Sequence, residues 1–336
     1  MQRGCPMTKQ EKMFNKYSIP HSFKFMFKKN HFLSSLPLLV MLLTGTNAMA
    51  QFGTENTLNI NAIYVPQSKY TQKDGQVENA EKTQKRIDLD YSFPISTKFD
   101  PATKKLQKWT GIVSGSYTQM SGKANDRDLM PEKLLSSMLG VTYLRSMRNN
   151  WAMVSVLTTG INSDLKKIDY HDLYITGGVL FIKTPRPGFS YGFGGFIVNA
   201  LNAPIILPGL MLHFQTEGKF KFNIDVPTEV STAYDATKKI EVKLAVRYRN
   251  TSYDTENTVE PKRRYLNYME LPAGLETKWK SKHFDFVIGG GYMILRNYDL
   301  KEGGIKNLFT EGQINKSGGN FFVNAGIRLK FKNERK

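Results

Sequence analysis

Arg86-Ile87-Asp88-Leu89-Asp90-Tyr91-Ser92-Phe93-Pro94-Ile95-Ser96-Thr97-Lys98-Phe99 decides the fold class. Ile87, Leu89, Tyr91, Phe93, Ile95, Thr97 and Phe99 share one parity, and Arg86, Asp88, Asp90, Ser92 and Pro94 the other. Period two marks a strand with one apolar and one polar face. The pattern returns at 239–249, where Ile240, Val242, Leu244, Val246 and Tyr248 alternate with Glu241, Lys243, Ala245, Arg247 and Arg249. It returns again at 219–226, with Phe220, Phe222, Ile224 and Val226 against Lys219, Lys221, Asn223 and Asp225, and at 283–294, with Phe284, Phe286, Ile288, Tyr292 and Ile294 opposite His283 and Asp285. Three of these four runs span 11 to 14 residues. Strands of soluble sheets are mostly about 5–6 residues long, whereas a tilted strand needs about 9–11 to cross a bilayer.

Weaker alternation runs through 57–66, 106–119, 134–147, 151–161, 171–183, 188–200, 206–215 and 264–279. Several of these carry apolar residues or glycine on both faces, so inside and outside stay unassigned there. No helical period is sustained, and the one long apolar run, 32–43, has twelve residues against the roughly 20 of a membrane-spanning helix. A mean hydropathy of −0.40 is likewise too polar for a bundle of such helices.

Short connections fall at 148–150, 184–187, 216–218 and 280–282, and long polar ones at 67–85, 120–133, 250–263 and 297–319. Outer-membrane barrels join their strands by short periplasmic turns and longer outside loops. Thirteen segments break that alternation between 216 and 280, and Glu-Val-Ser-Thr-Ala-Tyr-Asp at 229–235 supplies the missing strand. Its exit, Tyr234-Asp235-Ala236-Thr237-Lys238-Lys239, echoes Phe99-Asp100-Pro101-Ala102-Thr103-Lys104-Lys105, where an earlier strand turns. The sequence therefore predicts an all-β, transmembrane antiparallel up-and-down barrel of 14 strands with both ends in the periplasm. Because Pro227-Thr228 leaves a very tight outer connection, a 12-strand barrel with 218–238 folded inward is the alternative. A soluble β-sandwich also alternates, but it would need neither strands of this length nor a closing aromatic strand.

That closing strand, 320–331, sets Phe321, Val323, Ala325, Ile327, Leu329 and Phe331 against Asn324, Arg328 and Lys330. It resembles the C-terminal signal strand of bacterial outer-membrane proteins, which the barrel-assembly machinery recognises by alternating apolar residues and a final aromatic, here Phe331. The five residues 332–336 beyond Phe331 depart from that pattern. Together with Leu207-Pro208-Gly209-Leu210 and Val226-Pro227, the strand pattern over 51–331 resembles an uncharacterised, porin-like family of Gram-negative outer-membrane barrels, a domain of unknown function. The resemblance brings no catalytic motif with it.

Ahead of the strands, Lys24, Lys28 and Lys29 precede the apolar run and Thr44-Gly45-Thr46-Asn47-Ala48-Met49-Ala50 follows it. These are the basic, apolar and small-residue regions of a secretory signal ending in Ala-x-Ala. Residues 1–50 are expected to be a signal peptide cut between Ala50 and Gln51, starting at Met26 or, with a longer basic region, at Met1 or Met13. Residues 51–336 are then the barrel, in the outer membrane of a Gram-negative bacterium. Cys5 is the one cysteine, so the exported chain is expected to lack disulfide, thiol nucleophile and cysteine metal site. Taking seven bases and one acid of residues 1–50 from the totals of 47 and 29 leaves 40 against 28, a net charge of +12. Such a balance can mean nucleic acid, but an exported chain meets outer-membrane lipids, lipopolysaccharide phosphates and small anionic solutes instead.

Residues 51–336 contain no Gly-rich phosphate loop, zinc spacing or Gly-x-Ser-x-Gly elbow, so neither enzyme activity nor a metal or cofactor is expected. His213 should face inward beside Gln215, His171 lies in Asp169-Tyr170-His171-Asp172 at an outer loop, and His283 begins a strand. No spacing gives any of them a serine to activate. The lumen says more. Its expected bases are Arg86, Lys219, Lys221, Lys243, Arg247, Arg249, Arg328 and Lys330, and its acids Asp88, Asp90, Asp225, Glu241 and Asp285, so that 8 − 5 gives +3. These charges either pair across neighbouring strands or, through the excess of bases, favour anionic solutes. A barrel wider than eight strands leaves space that becomes a channel or is plugged, and with only six residues, 51–56, before the first strand, occlusion falls to loops such as 67–85 and 297–319. A passive pore or small-solute transporter is the leading expectation. A closed envelope-maintenance barrel is the alternative, and a lipid-modifying enzyme, requiring a Ser-His or Asp-His pair at the outer rim, comes third.

Overall fold

A computed structural model describes residues 56–71, 80–103, 105–122, 130–200, 203–256, 264–308 and 315–331. The expected signal peptide with Cys5 and Met26, and residues 332–336, lie outside that set. In chain order the strands are β1 (Thr57–Thr71), β2 (Ala80–Asp100), β3 (Lys105–Gly122), β4 (Lys133–Ser146), β5 (Trp151–Ser163), β6 (Leu173–Arg186), β7 (Phe189–Ala200) and β8 (Ala203–Gln215). They continue as β9 (Phe220–Val226), β10 (Glu229–Asp235), β11 (Ile240–Arg247), β12 (Arg249–Asp254), β13 (Tyr265–Lys280) and β14 (Phe284–Lys301). After the short helix α1 (Ile305–Leu308) come β15 (Asn315–Ser317) and β16 (Phe321–Lys330).

Each wall strand pairs antiparallel with the next, and β1 closes the ring on β16 from Thr57 opposite Lys330 to Tyr64 opposite Val323. β11 and β12 lie in one register on β13 and make a single wall strand, while β15 leads into β16 between β1 and β14. The result is a closed 14-stranded antiparallel barrel. β10 occupies its place between β9 and β11, so the strand deduced from connection parity is part of the wall and the 12-strand alternative falls.

One end of the barrel carries both strand termini and the tight turns. Asn149 and Asn150 there take φ of 56° and 59°, the left-handed pair that a two-residue hairpin turn requires and that Asn tolerates. The other end carries the longer connections. Around the outside runs an apolar belt in which Ile206, Ile175 and Leu139 are 77%, 64% and 60% exposed. Near the turn end it meets aromatic residues: Trp109 against Tyr143, Trp151 against Tyr191 and Phe193, Phe220 against Tyr234, Trp279 against Phe286, and Phe331 against Tyr91. A belt of this kind is the surface that barrels turn to lipid.

The outer ends of β12, β13 and β14 leave the wall. The β13 ladder breaks between the pairs Val246–Ala273 and Arg249–Glu270, where Pro272 has no N–H to contribute. At the same height β14 bulges between its pairing with Leu271 and that with Pro272. A bulge bends its strand and reverses the faces beyond it. Accordingly Ile294 and Leu295 are both exposed, and the inward set changes from Asp285 and Met293 to Arg296, Tyr298 and Leu300. Beyond the kink Tyr265, Leu266, Tyr268, Met269 and Glu270 are all buried, although successive side chains of a strand point to opposite faces. They pack across the lumen: Leu266, Tyr268, Tyr253, Tyr298 and Leu300 form one apolar cluster with Met120, Met130 and Leu134 of the opposite wall.

Candidate lumen site

In the turn-end half of the lumen a cavity of about 370 Å³ is lined by β1, β2, β8 to β14 and β16. Alternation places its charges, because inward positions on neighbouring strands stand side by side. Lys243 lies 2.6 Å from Glu229, and Arg247 bridges Glu229 at 2.8 Å and Glu276 at 2.5 Å. Below them Glu241 takes Lys221, Lys278 and Lys280 at 2.8, 2.6 and 2.8 Å, and Lys221 also reaches Asp235 at 2.9 Å. Asp225 meets His213 Nε2 at 2.7 Å, Asp285 meets Lys330 at 2.6 Å, and Arg328 donates to Asn59 Oδ1 at 2.6 Å.

Asp88 and Asp90 sit one step further round on β2. Asp88 accepts from Ser116 at 2.7 Å and from Arg249 at 3.1 Å, and Asp90 accepts from Ser114. Arg86 is buried toward the loop end, with its Nε 3.3 Å from Asp88 and its Nη1 on Glu270. Glu270 also accepts from Gln84 Nε2 at 2.6 Å and Tyr268 Oη at 2.8 Å. Since β2 and β13 are separated in the wall by β1, β16 and β14, this knot ties non-neighbouring strands together on the loop-end side of the cavity.

Two expectations need correction. Lys219 stands in the exposed turn before β9, with its ammonium on Ala236 O and over the Tyr234 ring, and not on the inward wall. Nor is the cavity itself basic: it is lined by Lys243, Arg247, Arg249, Lys278 and Arg328 against Asp88, Asp90, Asp225, Glu229, Glu241 and Glu276, so 5 − 6 gives −1, while Arg86, Lys221, Lys330 and Asp285 lie outside this lining. The acids missing from the sequence count, Glu229, Glu270 and Glu276, sit on the short β10 and on β13. There alternation is brief or interrupted by Pro272, although the even positions Glu270, Glu276, Lys278 and Lys280 already shared one parity.

At the loop end Asp169, Asp172 and Asp254 bring carboxylate oxygens within 4.8 Å of one another, a set that can hold a metal ion. Arg264 lies among them instead, paired with Asp254 and 3.6 Å from Asp169. His171 Nδ1 is 3.0 Å from Asp169 Oδ1, and its ring lies 3.8 Å from that of Tyr170. The His171 backbone N–H holds the Asp169 carboxyl down to about 2, helped by the His171 ring, Lys167 and Arg264, while burial pushes Asp172 up. An acid held below its ordinary value of about 3.9 stabilises the fold above that value and loses the effect as pH falls through the folded-state value. Carbon NMR of the Asp169 carboxyl is therefore expected to show a midpoint near 2, with the rim docked at pH 5; a midpoint in the ordinary carboxylate range would contradict the hydrogen bonding described.

The barrel is similar to several solved structures. These include the COG4313 outer membrane channel from Pseudomonas putida F1, at 8% identity over 86% of this chain and 100% of that one, with a TM-score of 0.42. The Pseudomonas putida toluene transporter TodX matches at 8% identity over 86% and 94%, with a TM-score of 0.33, and LpxR from Salmonella typhimurium at 9% over 82% and 100%, with 0.32. No curated protein matches the chain. Residues 46–330 match the family described as a domain of unknown function, DUF6268, and the chain belongs to that family.

Proposed function

We propose that this barrel is an outer-membrane channel for small polar solutes, held shut at its outer end by its own infolded strands. The cavity of about 370 Å³ inside a closed wall carries the proposal, because space bounded by charged side chains is a solute path wherever its ends open. With short turns facing the periplasm, the Arg86–Glu270 knot and the apolar cluster around Leu266 close the cell-surface side. The lining of both signs gives no preference for anions. No catalytic step belongs to this role. The purified, folded protein is expected to give discrete conductance steps in planar bilayers; a folded barrel that never conducts would overturn the proposal. That outcome would favour a purely structural barrel, for which the paired charges across the lumen already speak.

Insertion by the barrel-assembly machinery is part of the same proposal. Phe331 caps the β16 stripe, its N–H donating to Asn56 O at 2.8 Å and its exposed ring packing edge-on to Tyr91. Phe331→Ala is expected to lower the amount of heat-modifiable protein in the outer membrane several-fold while synthesis continues, as seen on unboiled immunoblots. Unchanged levels would remove Phe331 from the recognition signal.

A further inference from the structure

Between β8 and β12 the wall has no described ladder over its loop-end half. β9 and β10 have seven residues each, too few for the roughly 9–11 that cross a bilayer, and their connection at Pro227-Thr228 lies partway up. β8 runs on past it. Its ladder to β9 ends at Leu210 opposite Val226, while its ladder to β7 continues to Ala203 opposite Ala200. Among the described residues, 203–209 therefore present an open edge. On the far side Tyr248 N–H donates to Thr228 O at 2.9 Å, and above it β12 turns into the lumen, pairing among the described residues with β13 and, through Asp254, with Ser163 of β5.

The sequence of β8 fits an edge. Thr216 N–H donates toward β9 and Gln215 N–H toward β7, so by alternation the even positions face the gap. Pro204 and Pro208 are even, and proline has no N–H to leave unsatisfied there. The gap also lies at the depth of the lipid belt: the ladder from Ile206 leads through Ile197 and Gly177 to Leu157, and the three apolar residues of that row are exposed outward. Open sheet edges do not face hydrocarbon without a cover or a cavity. α1 lies against β8, but a four-residue helix cannot replace a missing ladder. Just inside, Val156, Leu180, Phe196, Val198 and Leu207 form an apolar lumen wall, where outer-membrane barrels are ordinarily polar.

We propose that this gap is a lateral port through which apolar or amphiphilic molecules pass between the lumen and the outer leaflet, a route that rests on the channel function above and adds a second exit to it. The apolar inner wall of β5 to β8 is continuous with the port at Leu207, and the charged cavity lies below it, so a molecule with a polar head and an apolar body meets matching surfaces on both sides.

The test uses the full chain with Cys5→Ser and single cysteines carrying a bimane label, in vesicles of phosphatidylcholine brominated on its acyl chains. Leu207→Cys and Ile205→Cys stand at the inner lip, Ile206→Cys faces lipid, and Val154→Cys faces the lumen on β5. Heat-modifiable migration verifies that each variant is folded. Quenching at 205 and 207 is expected to exceed that at 154 by at least about threefold and to approach that at 206, because lipid chains reach the lip only through an opening. Quenching at 205 and 207 no greater than at 154 overturns the port, whether or not the same preparations conduct ions. Loss of conductance with quenching retained overturns the channel alone.

Discussion

Glu270→Ala is expected to cost this barrel about 3–5 kcal/mol, the penalty for breaking a buried ion pair by removing one partner. The carboxylate is 1% exposed and receives Arg86, Gln84 and Tyr268 at once. Its loss leaves the buried Arg86 with Asp88 alone at 3.3 Å, Gln84 Nε2 without its carboxylate acceptor, and Tyr268 Oη with only Gln84 Oε1 at 3.1 Å. Replacing both partners, Arg86→Met with Glu270→Leu, removes the stranded charge as well and is expected to recover most of the loss. Urea unfolding of the detergent-folded barrel measures both. A Glu270→Ala penalty below about 1 kcal/mol, the range of exposed pairs, would mean that the pair is solvated and does not tie β2 to β13.

Leu266→Asp has the larger expected effect on conductance. Leu266 is 0% exposed among Met120, Met130, Leu134, Tyr253, Tyr268, Tyr298 and Leu300, and a carboxylate there has no charged partner within the cluster. A buried, unpaired charge costs far more than the few kcal/mol that hold a packed segment in place, so the outer ends of β12 to β14 should leave the lumen. Ladders from β1 to β11 do not depend on that cluster and should persist. Conductance in planar bilayers is expected to rise several-fold over the unsubstituted protein with the β-sheet circular dichroism unchanged, and Leu266→Asn should give a smaller rise. Equal conductance for Leu266→Asp and the parent would show that the infolded strands are not the barrier.

The wall was legible in the sequence because period two is set by the pleat and survives whatever lies inside. Alternation at 86–99 and 239–249 marks outward Ile87, Leu89, Leu244 and Val246, all exposed, and the demand that short and long connections alternate located β10. β5 to β8 resisted assignment for a physical reason: their inner face, with Val156, Leu180, Phe196 and Leu207, is as apolar as their outer one. The inward turn of β12 to β14 was hidden because it depends on a bulge and on Pro272 breaking a ladder, events that shift parity without disturbing composition. For the same reason Glu229, Glu270 and Glu276 escaped the count, while Lys219, at the end of an alternating run, was carried past the strand into the turn.

The most direct test of the closure is a crosslink between strands that are not neighbours. Tyr268 Oη donates to Gln84 Oε1 at 3.1 Å across the lumen. Gln84→Cys with Tyr268→Cys, in the full chain with Cys5→Ser, should therefore be joined in outer membranes by a short bis-thiosulfonate in most molecules, seen as a shift on boiled gels. Gln84→Cys with Ile206→Cys, the second facing lipid on another part of the wall, is the control. A crosslink at 84 and 268 is predicted; a yield no higher than that of the control would contradict the infolded closure and leave an open barrel.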